Sequence, residues 1–441
     1  MFKTLANAFR VKEIRNKIFF TLLMLVVVRV GSLLPIPGIN TGYFGSLFEN
    51  IEGFEFFNQA TGNALTQGSV FALSISPYIT SSIIMQLLTI AIPALEDMQK
   101  DGEDGRKKIA TITRYVTIGL ALLESIAMVI GFGNQGLIDG FAKMSTGEKI
   151  FSGAMTVSIL TAGSAILMWI GEQITERGVG NGISIVLIIN IISSIPNDFK
   201  NLFELFIKGQ SVLKATIAIV AIVVIILVVV VLTVILCEGE RRIPVQYSKK
   251  IQGRKTYGGQ SSHIPLKVNT SGVIPVIFAQ SLLSVPVIIA SFFDVDYSSV
   301  GGKILLGLST QNWFDRSNMI YTLGVLVYIA LIIFFAYFYT SVTFNPIEIA
   351  NNMKKSGGFI PGIRPGKPTS DYLTKILNKI ILIGACGLTI VAIIPIICSG
   401  LFNANVSFGG TSIIIIVGVV LETFRQIESQ MVVRDYKGFL N

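Results

Sequence analysis

The feature that most constrains this chain is the recurrence of apolar stretches about 20 residues long, the length a helix needs to cross a bilayer. They fall near residues 17–36, 70–93, 113–133, 153–172, 182–196, 212–237, 271–293, 318–341, 375–397 and 408–425. Lipid offers no water to the backbone, so such segments must satisfy their own N–H and C=O groups, and a single run does so as a helix. The expectation is an all-α integral membrane protein with ten transmembrane helices. Apolar residues make up 51% of the 441 and charged ones 14%, far from the composition of a soluble domain.

The opening residues, MFKTLANAFRVKEIRNK, lack an apolar core closed by small residues and do not resemble a removable signal. Phe2, Leu5, Ala6 and Phe9 share one helical face, which suits an interfacial helix as well as it suits a frayed basic tail. Lys and Arg crowd this tail and the loops after spans 2, 6 and 8, whereas nothing between Arg29 and Lys100 is basic and residues 396–410 are uncharged. Positive charge marks the cytoplasmic side, so both termini are expected in the cytoplasm.

Five spans per half is an odd number, which makes the second half enter the membrane in the opposite sense to the first. The division expected is residues 1–210 and 211–441, two inverted five-helix halves. In folds of this kind, irregular spans at matching positions point to the functional centre. Spans 2 and 7 match: SISPYITSS and TSGVIPVIFAQSLLSVP carry Pro77 and Pro275 among Ser, Thr and Gly. Just before span 2, FFNQATGNALTQGSV is too polar and Gly-broken to cross, and reads as a surface loop or as a half-helix dipping into a protein-lined cavity.

Catalytic signals are sparse. His263 is the only histidine and lies in a loop, so no mechanism that needs paired histidines can be assembled. KDGEDGRKK at 100–108 lacks the Gly-Lys-Ser/Thr ending of a phosphate loop and does not fit a calcium loop. Cys237, Cys386 and Cys398, in or beside apolar spans, suggest packing rather than disulfides or zinc. No cofactor is expected.

Charges within spans are costly and need partners or water. Arg29 in VVVRVGSLL could bond backbone carbonyls or face a pore, and Glu124 in LALLESIAM would suit a proton-coupled solute transporter if a second ionisable group lay at its depth. Ile75, Ile79 and Ile83 fall four apart on one helical face among apolar neighbours. Two basic loops complete the inventory. In 238–268, alternation of Ile243, Val245 and Tyr247 ahead of a Gly-rich turn predicts a hairpin standing off the membrane. In 342–371, Pro361, Pro365 and Pro368 stiffen a segment bearing Lys354, Lys355, Arg364 and Lys367, a projection suited to RNA or to an acidic protein surface.

RVGSLLPIPG, SPYITSSIIMQLL, RGVGNGISI, ERRIPVQY, QSSHIPLKVNTSGVIPVIFA, FNPIEIANNMKKSGGFIPGIRPGKPT and FGGTSIIIIVGVV, in this order, resemble the signatures of the SecY family of protein-translocation channels. The resemblance implies a clamshell around an hourglass pore, in the bacterial cytoplasmic membrane, that passes unfolded preproteins and frees membrane helices sideways into lipid. It implies a pore ring of Ile75, Ile79, Ile83, Ile183, Leu187, Ile191, Ile277 and Ile415. It implies a plug over 56–69, including Phe57, Asn58, Thr61, Gly62, Asn63, Leu65, Thr66 and Gly68. A lateral gate would include Thr80, Gln86, Glu124, Asn269 and Ser281, with Glu124 standing where the family carries a neutral amide. Arg241, Arg242, Lys249, Lys250, Arg254, Lys255, Lys354, Lys355, Arg364 and Lys367 would meet the motor ATPase SecA or the ribosome. SecE and SecG are the implied small partners, a signal peptide and membrane lipid the implied ligands of the gate. A solute transporter built from inverted repeats is the competing expectation.

Overall fold

The computed structural model describes residues 9–41, 61–208, 211–247, 250–252, 255–257, 261–291, 299–314, 319–402 and 410–438. In chain order the long elements are α1 (Lys12–Leu33), α2 (Ser76–Ala91), α3 (Pro93–Lys100), α4 (Glu103–Phe132), α5 (Thr146–Arg177), α6 (Gly182–Phe206) and α7 (Val212–Glu238). Strands β1 (Glu240–Tyr247), β2 (Lys250–Gln252), β3 (Lys255–Tyr257) and β4 (Ser261–Lys267) follow. Then come α8 (Ile274–Ser291), α9 (Val300–Leu308), α10 (Leu323–Thr343), α11 (Pro346–Lys355), β5 (Gly358–Phe359), α12 (Lys367–Phe402) and α13 (Gly410–Gly438).

A helix overlaps each apolar stretch read from the sequence. Among the described residues, seven helices are long and apolar enough to cross a membrane alone, or eight if the α2–α3 pair, bent by 100°, counts as one span. The protein is therefore helical and multi-pass.

Span 2 falls furthest short of its expected bounds, 70–93. Helix begins only at Ser76, because Gly62, Asn63, Gly68 and Ser74 all have positive φ and residues 62–75 run as successive turns. The 16 residues of α2 reach about 24 Å, short of a hydrocarbon core about 30 Å thick. Its start lies deep in the bundle, since the Ser74 carbonyl accepts from Ser164 Oγ at 3.2 Å, midway along the 32-residue α5. Pro77 stands in the first turn of α2, and Pro275 is the second residue of α8. There the missing N–H is an orphan in any helix, so both prolines start helices rather than break them.

Three apolar clusters organise the interior. One draws only on residues before 161, including Ile36, Leu65, Met128, Phe132, Leu137 and Leu160. A second draws only on residues after 224, around Trp313, Tyr328, Ile332, Leu388 and Ile414. The third joins the two stretches of chain: Val28, Phe71, Leu167 and Val186 pack with Val273, Ile277, Ile415 and Val419. Beside it, Ile14 and Val179 meet Ile427, and Lys17 Nζ donates to Gln430 Oε1 at 3.4 Å.

The hairpin expected in 238–268 is present. β1 and β4 pair antiparallel from Glu240↔Lys267 to Gln246↔Ser261, with Ile243 and Val245 buried. The sequence did not show that β5 also pairs with β1, at Gln246↔Phe359 and Tyr247↔Gly358, joining both basic loops in one sheet ordered β4-β1-β5. Under it Ile243, Val245 and Leu266 pack on Met353, Ile360, Leu373 and Ile376. The three cysteines are free, and Cys386 is exposed, which corrects the expectation that all three serve packing.

Candidate functional site

Seven of the eight aliphatic residues read as a ring belong to the central cluster. Ile75, Leu187, Ile191 and Ile415 are buried in it, and Ile79, Ile183 and Ile277 pack partly exposed against it. They come from the start of α2, from α6, α8 and α13, so helices far apart in the chain present branched apolar groups to one place. Ile83, one turn beyond Ile79, is half-buried and outside the cluster. The ring-bearing face of α6 is set by Asn181, whose Oδ1 accepts from the N–H groups of Ile183 and Ser184 and so caps the helix before its first isoleucine.

Of the plug residues, Phe57 and Asn58 lie outside the described residues. Thr61, Gly62, Leu65 and Gly68 are buried, and Asn63 and Thr66 half-buried. The segment is tied in locally: Thr66 Oγ1 donates to the Asn63 carbonyl at 2.9 Å, and Leu65 N–H donates to Thr61 Oγ1 at 3.4 Å. Its far end pairs with the strand-like stretch after α1, through Ile36 N–H to Gly68 O and Val70 N–H to Leu34 O, each 2.9 Å. Val70 packs on both the central cluster and the N-terminal one, so the segment ends directly against the ring residues. The sequence left a surface loop or a half-helix open for this stretch, and over the described residues 62–68 the chain is a run of turns, for the backbone reason given above.

Arg29 answers the question its sequence left open. Its Nη1 donates to Ser193 Oγ at 2.9 Å and to the Gly62 carbonyl at 3.4 Å, tying α1 to α6 and to the polar segment. Ser193 gave no signal in the sequence, being one of three serines in a largely apolar helix. A second missed pair is Arg114 Nε with Glu172 Oε1, 2.6 Å apart, which links α4 to α5. Glu124 makes no hydrogen bond or ion pair among the described residues.

The residues read as a gate do not bond to one another across the space between α2 and α8. Thr80 is exposed, and Gln86 Nε2 donates at 3.5 Å to Ser82 of its own helix. Asn269 is buried and accepts from Ser271 Oγ at 3.5 Å, while Ser281 is half-buried. Helix α2 packs closely on α4 and α8 on α10, but α2 and α8 share no extensive contact among the described residues.

On the basic sheet, Arg241, Arg242, Lys354, Lys355, Arg364 and Lys367 are exposed. Arg242 is engaged by Glu240, with Nε and Nη2 both 2.6 Å from Oε1. The Arg364 loop is braced from behind, since Thr369 Oγ1 donates to the Arg364 carbonyl at 2.8 Å. Lys250 and Lys255 are placed by backbone on β2 and β3; Lys249 and Arg254 lie outside the described residues.

Comparisons with known proteins bear on the family and the fold. The SecY family model matches residues 69–424. The chain is 44% identical over 450 residues to the protein translocase subunit SecY of Bacillus subtilis and 43% identical over 455 residues to that of Streptomyces coelicolor, each match covering 100% of both chains. Its fold is similar to that in "The structure of a protein conducting channel", with TM-score 0.63 at 19% identity over 96% of this chain and 94% of that one. The fold of Sec61 in the canine ribosome-channel complex from the endoplasmic reticulum matches with TM-score 0.59 at 18% identity, over the same shares. With its family model covering most of the length and full-length relatives above 40% identity, this chain belongs to the SecY family.

Proposed function

We propose that this chain forms a protein-conducting channel of the bacterial cytoplasmic membrane, passing unfolded preproteins across it and releasing membrane helices sideways into lipid. The observation that carries the reading is the gathering of Ile75, Ile79, Ile183, Leu187, Ile191, Ile277 and Ile415 from four helices into one apolar cluster. A collar of branched aliphatic groups sheds water, so ions meet a desolvation barrier there. Its side chains offer a passing polypeptide no hydrogen bond, and an arbitrary sequence slides through without sticking.

Two inverted halves, 1–210 and 211–441, would hinge about this collar, each half built on its own cluster. The 56–69 segment would be the plug. The loosely joined α2 and α8 would form the lateral gate, where a signal peptide competes for the seam and Glu124 borders it. The basic sheet, facing the cytoplasm with both termini, would dock SecA or the ribosome, the source of energy for a chain with no nucleotide-binding motif. SecE and SecG would brace the clamshell. A solute transporter would need a second ionisable group near Glu124, and among the described residues none pairs with it.

The test is a halted preprotein. With SecA and ATP, a translocating chain jammed by a folded tail is expected to cross-link to single cysteines placed at Ile277 and at Ile415, and not to one at Leu227, exposed on the outer face of α7. Cross-linking at Leu227 alone would put the path elsewhere.

A further inference from the structure

A plug needs something that holds it while the channel is idle and lets go on demand. We propose that Arg29 is the positioning residue that clasps the 61–69 segment in its seat, an inference that rests on the plug reading above. The Ser193 hydroxyl has one proton, and its shortest acceptor is the Asn190 carbonyl at 2.6 Å, so towards Arg29 it acts as an acceptor. Arg29 Nη1 carries two protons, one for Ser193 Oγ and one for the Gly62 carbonyl. One guanidinium nitrogen thus fastens the segment to α1 and α6 together.

The seat is shaped for a residue without a side chain. Gly62 has φ +65°, and a Cβ there would lie 2.7 Å from Ser193 Oγ and 2.9 Å from the Asn190 backbone. Five residues beyond the segment, Asn190 Nδ2 donates to Ser74 Oγ at 3.0 Å, so α6 also holds the chain that follows it.

The clasp can open because no carboxylate pairs with Arg29 among the described residues. Its charge is satisfied by a serine and by the segment's own carbonyl. In a dry channel, removing Gly62 would leave a cation short of an acceptor at membrane depth, which is costly. In a channel wetted by an arriving polypeptide, water replaces the carbonyl and that cost disappears. Plug release is therefore coupled to hydration of the pore, with no ligand of its own.

The test uses the complete channel complex in proteoliposomes and reads idle ion conductance and passage of a preprotein with a defective signal sequence. Arg29→Gln should raise both about tenfold, the size expected when hydrogen bonds from a charged donor are lost. Ser193→Ala should raise them less, and Arg29→Lys, which keeps the charge and its donors, should restore most of the seal. Binding of SecA should not change in any variant. A further pair, Pro35→Cys with Ser69→Cys, which face each other across the antiparallel bridge at the end of the segment, in a chain whose three native cysteines are replaced by Ser, should block preprotein passage when oxidised and recover on reduction. Passage at full rate through the oxidised channel would overturn the plug reading and the clasp with it. A block by the disulfide, with conductance and signal requirement unchanged in Arg29→Gln and Ser193→Ala, would overturn the clasp alone.

Discussion

The central cluster and the basic sheet are held together by opposite means. At the centre, Ile79, Ile183, Ile277 and Ile415 meet through apolar contact alone, a non-directional attraction that survives sliding and partial separation. In the sheet, β1 is fixed to β4 and β5 by a ladder of directional backbone bonds whose register cannot shift by one residue without turning Ile243 and Val245 outward. On the proposed function the contrast teaches a division of labour: the part that would open is joined by forces indifferent to geometry, and the part that would receive a partner in one pose is joined by forces that demand it.

Four variants test this contrast, taken from the largest expected effect to the smallest. Ile79→Asn combined with Ile277→Asn should wet the centre and raise idle ion conductance by more than about tenfold, since polar groups remove the desolvation barrier. SecA binding should be unaffected; unchanged conductance would refute the collar. Val245→Asp attacks the other region by placing an unpaired charge under the sheet, at a cost of several kcal/mol. It should abolish stimulation of the motor ATPase and expose the 240–267 loop to protease, with idle conductance as in the parent.

Arg364→Glu reverses one exposed charge on an intact sheet. Thermal stability should move by less than about 0.5 kcal/mol, as for other surface changes, while motor stimulation falls about tenfold and membrane insertion of a short helix persists. A normal ATPase response would remove Arg364 from the docking surface. Glu124→Gln should do least. It replaces a carboxylate that has no partner among the described residues by a neutral amide and should stabilise the protein by about 1 kcal/mol, leaving preprotein flux within about twofold. Saturable uptake of a small solute by the parent, lost in this variant, would instead revive the transporter.

How much could be read in advance follows the range of the forces. Helix positions were readable because crossing lipid is a local demand on each run of residues, and the hairpin was readable because alternation of Ile243 and Val245 is a local pattern. The start of span 2 was misplaced because hydropathy cannot see the positive φ of Gly68 and Ser74 that holds residues 62–75 in turns. Arg29 announced itself as a charge within a span, but its partner Ser193 lies 164 residues away in an ordinary-looking helix. Nothing in GGFI foretold that Gly358 and Phe359 would complete the sheet begun by β1.

From the amino-acid order alone came a multi-pass helical protein, its family and the stripes of isoleucine, because solvation of backbone and side chains by lipid acts residue by residue. Only the tertiary structure decided that those stripes converge from four helices, that one arginine ties the polar segment to α1 and α6, and that two basic loops make one surface. Those are meetings between distant parts of the chain, settled by the packing of whole helices.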